Sequence, residues 1–118
     1  MTYKVFKKYM ETKGFEVEPQ DEMIVFTKRV VRYDGKKETY TFNVEVAVEF
    51  EKNIAALDSK VVIVWIAFDR VEYVVVRELK MMLEIAEEIE QNLCELGCDF
   101  DGGYAFAKVP HSGDTKKD

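Results

Sequence analysis

The clearest pattern in the chain is a two-residue alternation of apolar and polar side chains over positions 38–51, ETYTFNVEVAVEFE. In an extended chain, alternate side chains point to opposite faces of a sheet. One face then carries the apolar residues Tyr40, Phe42, Val44, Val46, Val48 and Phe50, and the other carries Thr39, Thr41, Asn43, Glu45 and Glu49. The pattern predicts an antiparallel strand with one buried face and one acidic face in water.

The preceding segment, residues 23–33, is rich in β-branched and aromatic residues and predicts the partner strand of a hairpin. Asp34-Gly35 supplies the turn chemistry between the two strands. The short segment FEVE, residues 15–18, predicts a further strand or an extended link.

The hairpin register has two alternatives. A two-residue loop at the Asp-Gly pair places Val25 opposite Val44, whereas a three-residue loop places Ile24 opposite Val44 and Phe26 opposite Phe42. A shift of one residue exchanges the two faces of a strand. We favour the three-residue loop because it aligns the larger apolar residues.

Residues 61–68, VVIVWIAF, are apolar on both faces, which predicts a central strand or one whose second face meets a helix or another subunit. Residues 71–76, VEYVVV, predict another strand. The alternative is a helix that begins at Asp69, because Asp69 and Glu72 have the spacing of a capping box. Three consecutive valines disfavour this helix, since β-branched side chains lose rotamer freedom there.

A first helix is predicted from Thr2, a suitable N-cap, to about Lys13. Gly14 fits the left-handed position after a helix, and Phe15 can then fold back on Met10.

A second, longer helix is predicted from about Arg77 to Leu96 by the 3.6-residue period of its apolar positions. Met81 and Ile85 lie off the main apolar stripe. The turn DFDGG, residues 99–103, then leads into a last strand, GYAFAKV. The predicted stripe consists of Leu79, Met82, Leu83, Ala86, Ile89, Leu93 and Leu96.

These elements predict an α+β fold over residues 1–109, followed by a mobile polar tail at 110–118. The fold comprises an N-terminal helix, an antiparallel sheet of four to five strands, a long C-terminal helix packed on that sheet, and a final short strand. A length of 118 residues suits one domain with its own hydrophobic core.

Composition bears on where the protein works. The longest apolar run has eight residues and the N-terminus lacks an apolar signal core, so we expect a cytoplasmic protein with no membrane association. Glu and Lys together number 28, against two Gln and three Asn. Such a surface is typical of hyperthermophiles and predicts a thermophilic source.

Charge is unevenly distributed along the chain. The net charge is −6, but residues 1–37 carry nine cations and six anions, and the cations concentrate near the predicted hairpin. A basic β-ribbon with an aromatic residue can bind nucleic acid, although an acidic chain makes general nucleic-acid binding a secondary hypothesis. The candidate contacts are Lys28, Arg29, Arg32, Tyr33, Lys36 and Lys37.

The stretch CELGCDFDGGYAF, residues 94–106, contains both cysteines of the chain. Their Cys-x-x-x-Cys spacing, without a second ligand pair, fits neither a zinc site nor a redox motif. We interpret Gly97 as the glycine that ends the long helix, with Cys98 packing back toward Leu93 as a small apolar residue. We therefore expect no metal and no cofactor.

Catalytic residues are hard to assemble from this sequence. The single histidine, His111, lies in the predicted tail, and the serines are Ser59 and Ser112. No phosphate-binding glycine motif is present. Glu90 is unusual because helical geometry places it among apolar neighbours, where a carboxylate needs a partner. We expect no catalytic site.

The leading functional hypothesis is a small, non-enzymatic protein-interaction domain that binds itself as a homodimer or binds another protein. The alternatives are nucleic-acid binding through the hairpin, and a small-ligand protein or enzyme with a pocket between the sheet and the long helix. Apolar residues in excess of one core suggest an interface. The candidates are Val62, Val64, Trp65, Val74, Met81 and Ile85.

Overall fold

The computed structural model describes residues 1–19, 23–33, 35, 39–53, 58–68 and 75–106. It confirms the α+β class and the predicted succession of an N-terminal helix, a sheet, a long helix and a final strand. The predicted tail and most of the predicted strand at 71–76 lie outside the described residues. The elements are α1 (Tyr3–Thr12), β1 (Glu16–Pro19), β2 (Ile24–Tyr33), β3 (Thr39–Asn53), β4 (Asp58–Phe68), α2 (Val76–Leu96) and β5 (Asp99–Ala105).

The five strands form one sheet in the order β1-β2-β3-β4-β5. The first four are antiparallel to one another in succession, whereas β5 lies parallel to β4. The sheet is therefore mixed: its first four strands form the predicted antiparallel part, and the final short strand joins it parallel to β4. The reason is the connection: α2 runs between β4 and β5, and a helical crossover brings the chain back to the end of the sheet where β4 began.

Both helices pack on one face of the sheet. The buried cluster joins Phe6 and Met10 of α1 to Met82 and Leu93 of α2 through residues such as Phe26 in the sheet. The buried residues Val25, Ala47, Val62 and Ala67 are not part of this cluster, because strand alternation turns them to the opposite face. The molecule thus has a helical layer on one side of the sheet only, among the described residues.

The ends of α1 are as predicted. The hydroxyl of Thr2 accepts a hydrogen bond from the backbone N–H of Val5 at 3.2 Å. At the other end Gly14 has a φ of 93°, and the N–H of Phe15 donates to the carbonyl of Met10 at 3.0 Å. This Schellman motif buries the Phe15 ring against the core.

The long helix is also confirmed, but its buried stripe is rotated from the predicted one. Ile85 is only 2% exposed and belongs to the core, so its predicted position off the stripe is wrong. Leu79 and Leu83 are instead 39% and 40% exposed. The buried face of α2 is formed by Met82, Ile85, Ala86 and Leu93, so Leu79 and Leu83 lie at its margin.

The start of α2 corrects only the end of the strand predicted at 71–76, because its first four residues lie outside the described residues. Val76 is the first helical residue, and Val75 is an extended N-cap with no side-chain hydrogen bond. A helix can therefore begin at Val76, the last of the three consecutive valines.

Neither predicted hairpin register is correct. Ile24 lies opposite Val48 and Phe26 opposite Val46, four residues beyond the favoured pairing, and residues 34–38 separate the two strands. The longer loop lets Val30 pair with Phe42. Because the shift is even, the assignment of apolar residues to one face is unchanged.

The final strand begins earlier than predicted, since β5 includes the segment DFDGG that the sequence suggested as a turn. The pairing of β4 with β5 is interrupted by an irregularity after Ile63. At this point the backbone of Gly102 approaches β4 so closely that a side chain there would overlap the carbonyl oxygen of Val64. Glycine is required for strand pairing at this position.

Candidate functional site

The predicted basic hairpin is divided between the two faces of the sheet. Lys28 and Arg32 lie on the face that carries the helices, because they pair with Val44 and Tyr40 in the apolar row of β3. Strand alternation places Arg29 and Tyr33 on the opposite face. Lys36 and Lys37 lie outside the described residues. The described candidates for nucleic-acid contact do not form one surface.

The two cations of β2 on the helix-bearing face, Lys28 and Arg32, line a cleft. We call it the α1–α2 cleft: it has a volume of about 240 Å³ and lies between α1, β2 and α2. Its floor is apolar and its walls carry polar and charged side chains. The lining residues are Tyr9, Met10, Lys13, Phe15, Lys28, Val30, Arg32, Ile85, Glu88, Ile89, Asn92 and Leu93.

Two lysines of the α1–α2 cleft lie against aromatic rings. The ammonium nitrogen of Lys28 is 5.4 Å from the centre of the Phe15 ring, and that of Lys13 is 5.6 Å from the centre of the Tyr9 ring. No carboxylate of the described chain lies within 4.0 Å of either ammonium group. The cation–π contacts position both charges without neutralising them.

The third cation, Arg32, has one carboxylate partner. Its Nη2 atom lies 3.5 Å from Oε1 of Glu88, and its Nη1 atom donates to the carbonyl of Val31 at 3.3 Å. The ion pair is long and both side chains are substantially exposed, so it contributes little to stability. Three cations and one carboxylate therefore give the α1–α2 cleft a positive charge in an acidic protein.

The predicted interface residues are dispersed. Val62 and Ile85 are buried within the chain, on opposite faces of the sheet layer. Met81 is partly buried and packs against the core. Val64 is partly buried, and Val74 lies outside the described residues.

Trp65, the remaining predicted interface residue, lies on the face of the sheet opposite the two described helices. It is opposite Ala47 in register, and its indole N–H donates to Oε2 of Glu45 at 2.9 Å. The indole therefore reaches β3 at Glu45, next to the fully buried Ala47. This hydrogen bond satisfies the indole N–H within the chain.

An apolar surface that the sequence did not identify runs along the first half of α2. We call Val76, Leu79 and Leu83 the α2 strip; Val76 is 68% exposed and the two leucines about 40%. Leu79 and Leu83 were missed because they were assigned to the core. The sequence did contain a signal for this surface. Met81 and Ile85 form a second apolar pair, so either of two sides of the helix could be the buried one.

Glu90 finds a partner in the last strand. The hydroxyl of Tyr104 donates a hydrogen bond to Oε1 of Glu90. Partial burial raises the pKa of the Tyr104 phenol above its usual value, and the neighbouring Glu90 carboxylate raises it further. Glu90 lines no part of the α1–α2 cleft, so the convergent carboxylates expected for a catalytic pocket are not found there.

The two cysteines have different environments. Cys98 is buried, its N–H donates to the carbonyl of Leu93 at 3.0 Å, and burial raises the pKa of its thiol to about 11. Cys94 is exposed. A shallow depression brings Cys94 near Glu90 and Asp99, but no three potential ligands in the described ranges are placed to share a metal ion.

Comparisons of the chain with protein families, with curated proteins and with solved structures each find no match. Within the described part of the chain, no helix has the length and apolar character needed to cross a membrane.

Proposed function

We propose that the protein is a small, non-enzymatic interaction domain that acts as a homodimer through the α2 strip. The exposure of Val76, Leu79 and Leu83 on one side of a regular helix is the observation that carries this proposal. Apolar side chains in a continuous row on a helix are the usual anchors of helix–helix association.

Charge supports a second copy as the partner. Lys80 and Glu87 border the α2 strip and lie about equally far along the helix on either side of Leu83. If two copies of α2 cross antiparallel at Leu83, Lys80 of each copy faces Glu87 of the other. Opposite charges at such positions favour one register and one partner.

The face of the sheet opposite the two described helices is a poorer surface for self-association. Its β3 row carries Glu45, Glu49 and Glu51, and β1, the edge strand on the far side of β2, adds Glu16 and Glu18. Two such faces would oppose like charges, which is unfavourable at an interface. The α2 strip is therefore the better site for a two-fold contact.

Light scattering at micromolar concentration tests the proposal. We expect a dimer for the unaltered chain and a monomer for Leu83→Glu, with Val31→Glu as the matched control because Val31 is an equally exposed apolar residue on another face. A monomer throughout the micromolar range contradicts the proposal.

Charge reversal tests the arrangement of the helices. Lys80→Glu should weaken dimerisation about ten-fold, because the introduced carboxylate would then face the carboxylate of Glu87, and the double exchange Lys80→Glu/Glu87→Lys should restore it. A double variant as weak as the single one contradicts the antiparallel contact.

The proposal also covers the cellular location and the source of the protein. We infer a cytoplasmic domain from a thermophilic organism. The 28 Glu and Lys residues and the scarcity of Gln and Asn in the sequence support the thermophilic source. A midpoint of thermal unfolding above about 80 °C would agree with this inference, whereas one near about 50 °C, typical of mesophilic domains, would contradict it.

A further inference from the structure

We propose that the α1–α2 cleft binds a small organic anion, whose apolar body lies on the cleft floor and whose acidic group lies among Lys13, Lys28 and Arg32. This site is independent of the proposed dimer contact. On α2 the cleft is lined by Glu88 and Asn92, whereas Leu79 and Leu83 of the α2 strip lie on the other side of the helix's buried face.

The floor of the cleft favours an apolar body. Met10, Phe15, Val30 and Leu93 are buried core residues that also line the cleft, so they belong to a packed and rigid surface. Ligand pockets typically combine such an apolar lining with a few polar groups that fix orientation. Tyr9 and Asn92 add a hydroxyl and an amide as further donors.

The charges of the cleft favour an acidic group. Lys28 is partly buried, and its ammonium group lies over Phe15 with no described carboxylate within 4.0 Å. A positive charge beside low-dielectric walls attracts an anion more strongly than one in open water. Lys13 is placed in the same way over Tyr9, so two ammonium groups with no described carboxylate partner flank the cleft.

Arg32 completes the anion site. Its contact with Glu88 is long at 3.5 Å and exposed, which leaves guanidinium donors available to a ligand. A guanidinium binds carboxylate and phosphate groups through paired hydrogen bonds. The one carboxylate that the described residues bring to the cleft, Glu88, repels an anion and therefore lowers the affinity of the site for it.

The size of the cleft selects a small ligand. A volume of about 240 Å³ lies below the range of roughly 300–1,000 Å³ that is common for pockets of drug-sized molecules. The net charge of −6 also repels polyanions from the rest of the surface. A single-ring or similarly compact acid fits both conditions, whereas a nucleic-acid strand fits neither.

Titration of the ¹⁵N-labelled full chain, followed by amide chemical shifts, tests the site. The probes are phenyl phosphate, benzoate, inorganic phosphate and the neutral benzyl alcohol. We expect saturable shifts of the Gly14, Lys28 and Asn92 amides with an aromatic acid, and at least about ten-fold weaker binding of benzyl alcohol, because it lacks the charge-assisted hydrogen bonds. If phenyl phosphate binds more tightly than benzoate, the preferred acidic group is a phosphate. If benzoate binds more tightly, it is a carboxylate.

Variants connect the shifts to the named cations. Lys13→Met/Lys28→Met retains apolar bulk and should weaken the aromatic acid about ten-fold or more, whereas Lys8→Met, a change of charge on the exposed side of α1, should leave affinity within about two-fold. Glu88→Gln should tighten binding about two-fold or more, because it removes the opposing carboxylate. A gain in affinity cannot arise from a variant that fails to fold.

The proposal is overturned if no aromatic acid gives saturable shifts up to about 10 mM, a limit that corresponds to very weak binding. It is equally overturned if benzyl alcohol binds as tightly as the acids, or if the double lysine variant, shown to be folded by its amide spectrum, retains full affinity.

Discussion

The phenolic hydroxyl of Tyr104 in β5 donates a hydrogen bond to the carboxylate of Glu90 in α2. The bond joins the last strand to the long helix at the edge of the sheet, and both side chains are partly buried. A hydrogen bond to an ionised acceptor in such a position is stronger than one between neutral groups.

Removal of the Tyr104 hydroxyl should lower the free energy of unfolding. We expect Tyr104→Phe to cost about 1–3 kcal/mol, because it leaves a partly buried carboxylate without its donor. Urea denaturation measures the effect. Tyr33→Phe is the matched control, since Tyr33 is 71% exposed and its hydroxyl reaches water. An equal cost for the two variants contradicts this role of the Tyr104–Glu90 bond.

The same residue predicts a loss of stability at high pH. The pKa of Tyr104 is raised in the folded protein above the ordinary 10.0, so the unfolded chain releases this proton first as the pH rises. The stabilisation is therefore complete below about pH 10 and is lost above it. Stability measured from about pH 8 to pH 11 should fall less steeply for Tyr104→Phe than for the unaltered chain. Parallel curves contradict the shifted pKa.

The two adjacent glycines of β5 should respond very differently to alanine. A methyl group at Gly102 would overlap the Val64 carbonyl, whereas one at Gly103 would meet no atom within 4 Å. We expect Gly102→Ala to destabilise the fold by about 2–4 kcal/mol and Gly103→Ala by less than about 1 kcal/mol. Thermal and urea unfolding of both variants provide the measurement. Similar values for the two would show that β5 does not pair with β4 as described.

The cysteines should differ in reactivity. Cys94 is exposed, whereas Cys98 is buried and its thiol has a pKa of about 11, so little thiolate forms at neutral pH. A disulfide reagent at about pH 8 should modify one thiol per folded chain and two after unfolding in urea. Cys94→Ala should abolish the fast reaction, and Cys98→Ala should preserve it. Equal rates for both thiols in the folded protein contradict the burial of Cys98.

Much of the fold could be predicted because local chemistry determines it. Gly14 and Gly97 end their helices with φ angles of 93° and 110°, as expected where only glycine is unstrained. The alternation of β3 placed Phe42 and Val46 on the core face without knowledge of any neighbour. These are properties of short segments, which the sequence contains in full.

Features that depend on tertiary placement could not be predicted. Leu83 and Ile85 are equally apolar, and only the positions of α1 and β5 decide which side of α2 is buried. The hairpin register depended on a loop longer than its Asp34-Gly35 turn signal suggested. In each case the sequence allowed more than one arrangement of similar apolar content.

The α1–α2 cleft shows the same limit for a functional site. Lys13 comes from the end of α1 and Arg32 from β2, so their proximity follows from packing and not from a motif. A partial signal was present, because Lys28 and Arg32 are four residues apart in a strand and must share a face, while Arg29 must not. Strand alternation applied to the cations would have separated the hairpin into two surfaces.

The order of strands has a consequence for synthesis of the chain on the ribosome. Strands β1 to β4 are neighbours both in sequence and in space, so they can assemble as soon as residue 68 has emerged. Strand β4 is apolar on both of its faces, and its outer edge has no neighbouring strand until α2 and β5 have been made. An unpaired apolar edge promotes aggregation of nascent chains, and the interval before β5 docks is therefore the stage at which a chaperone would protect this protein.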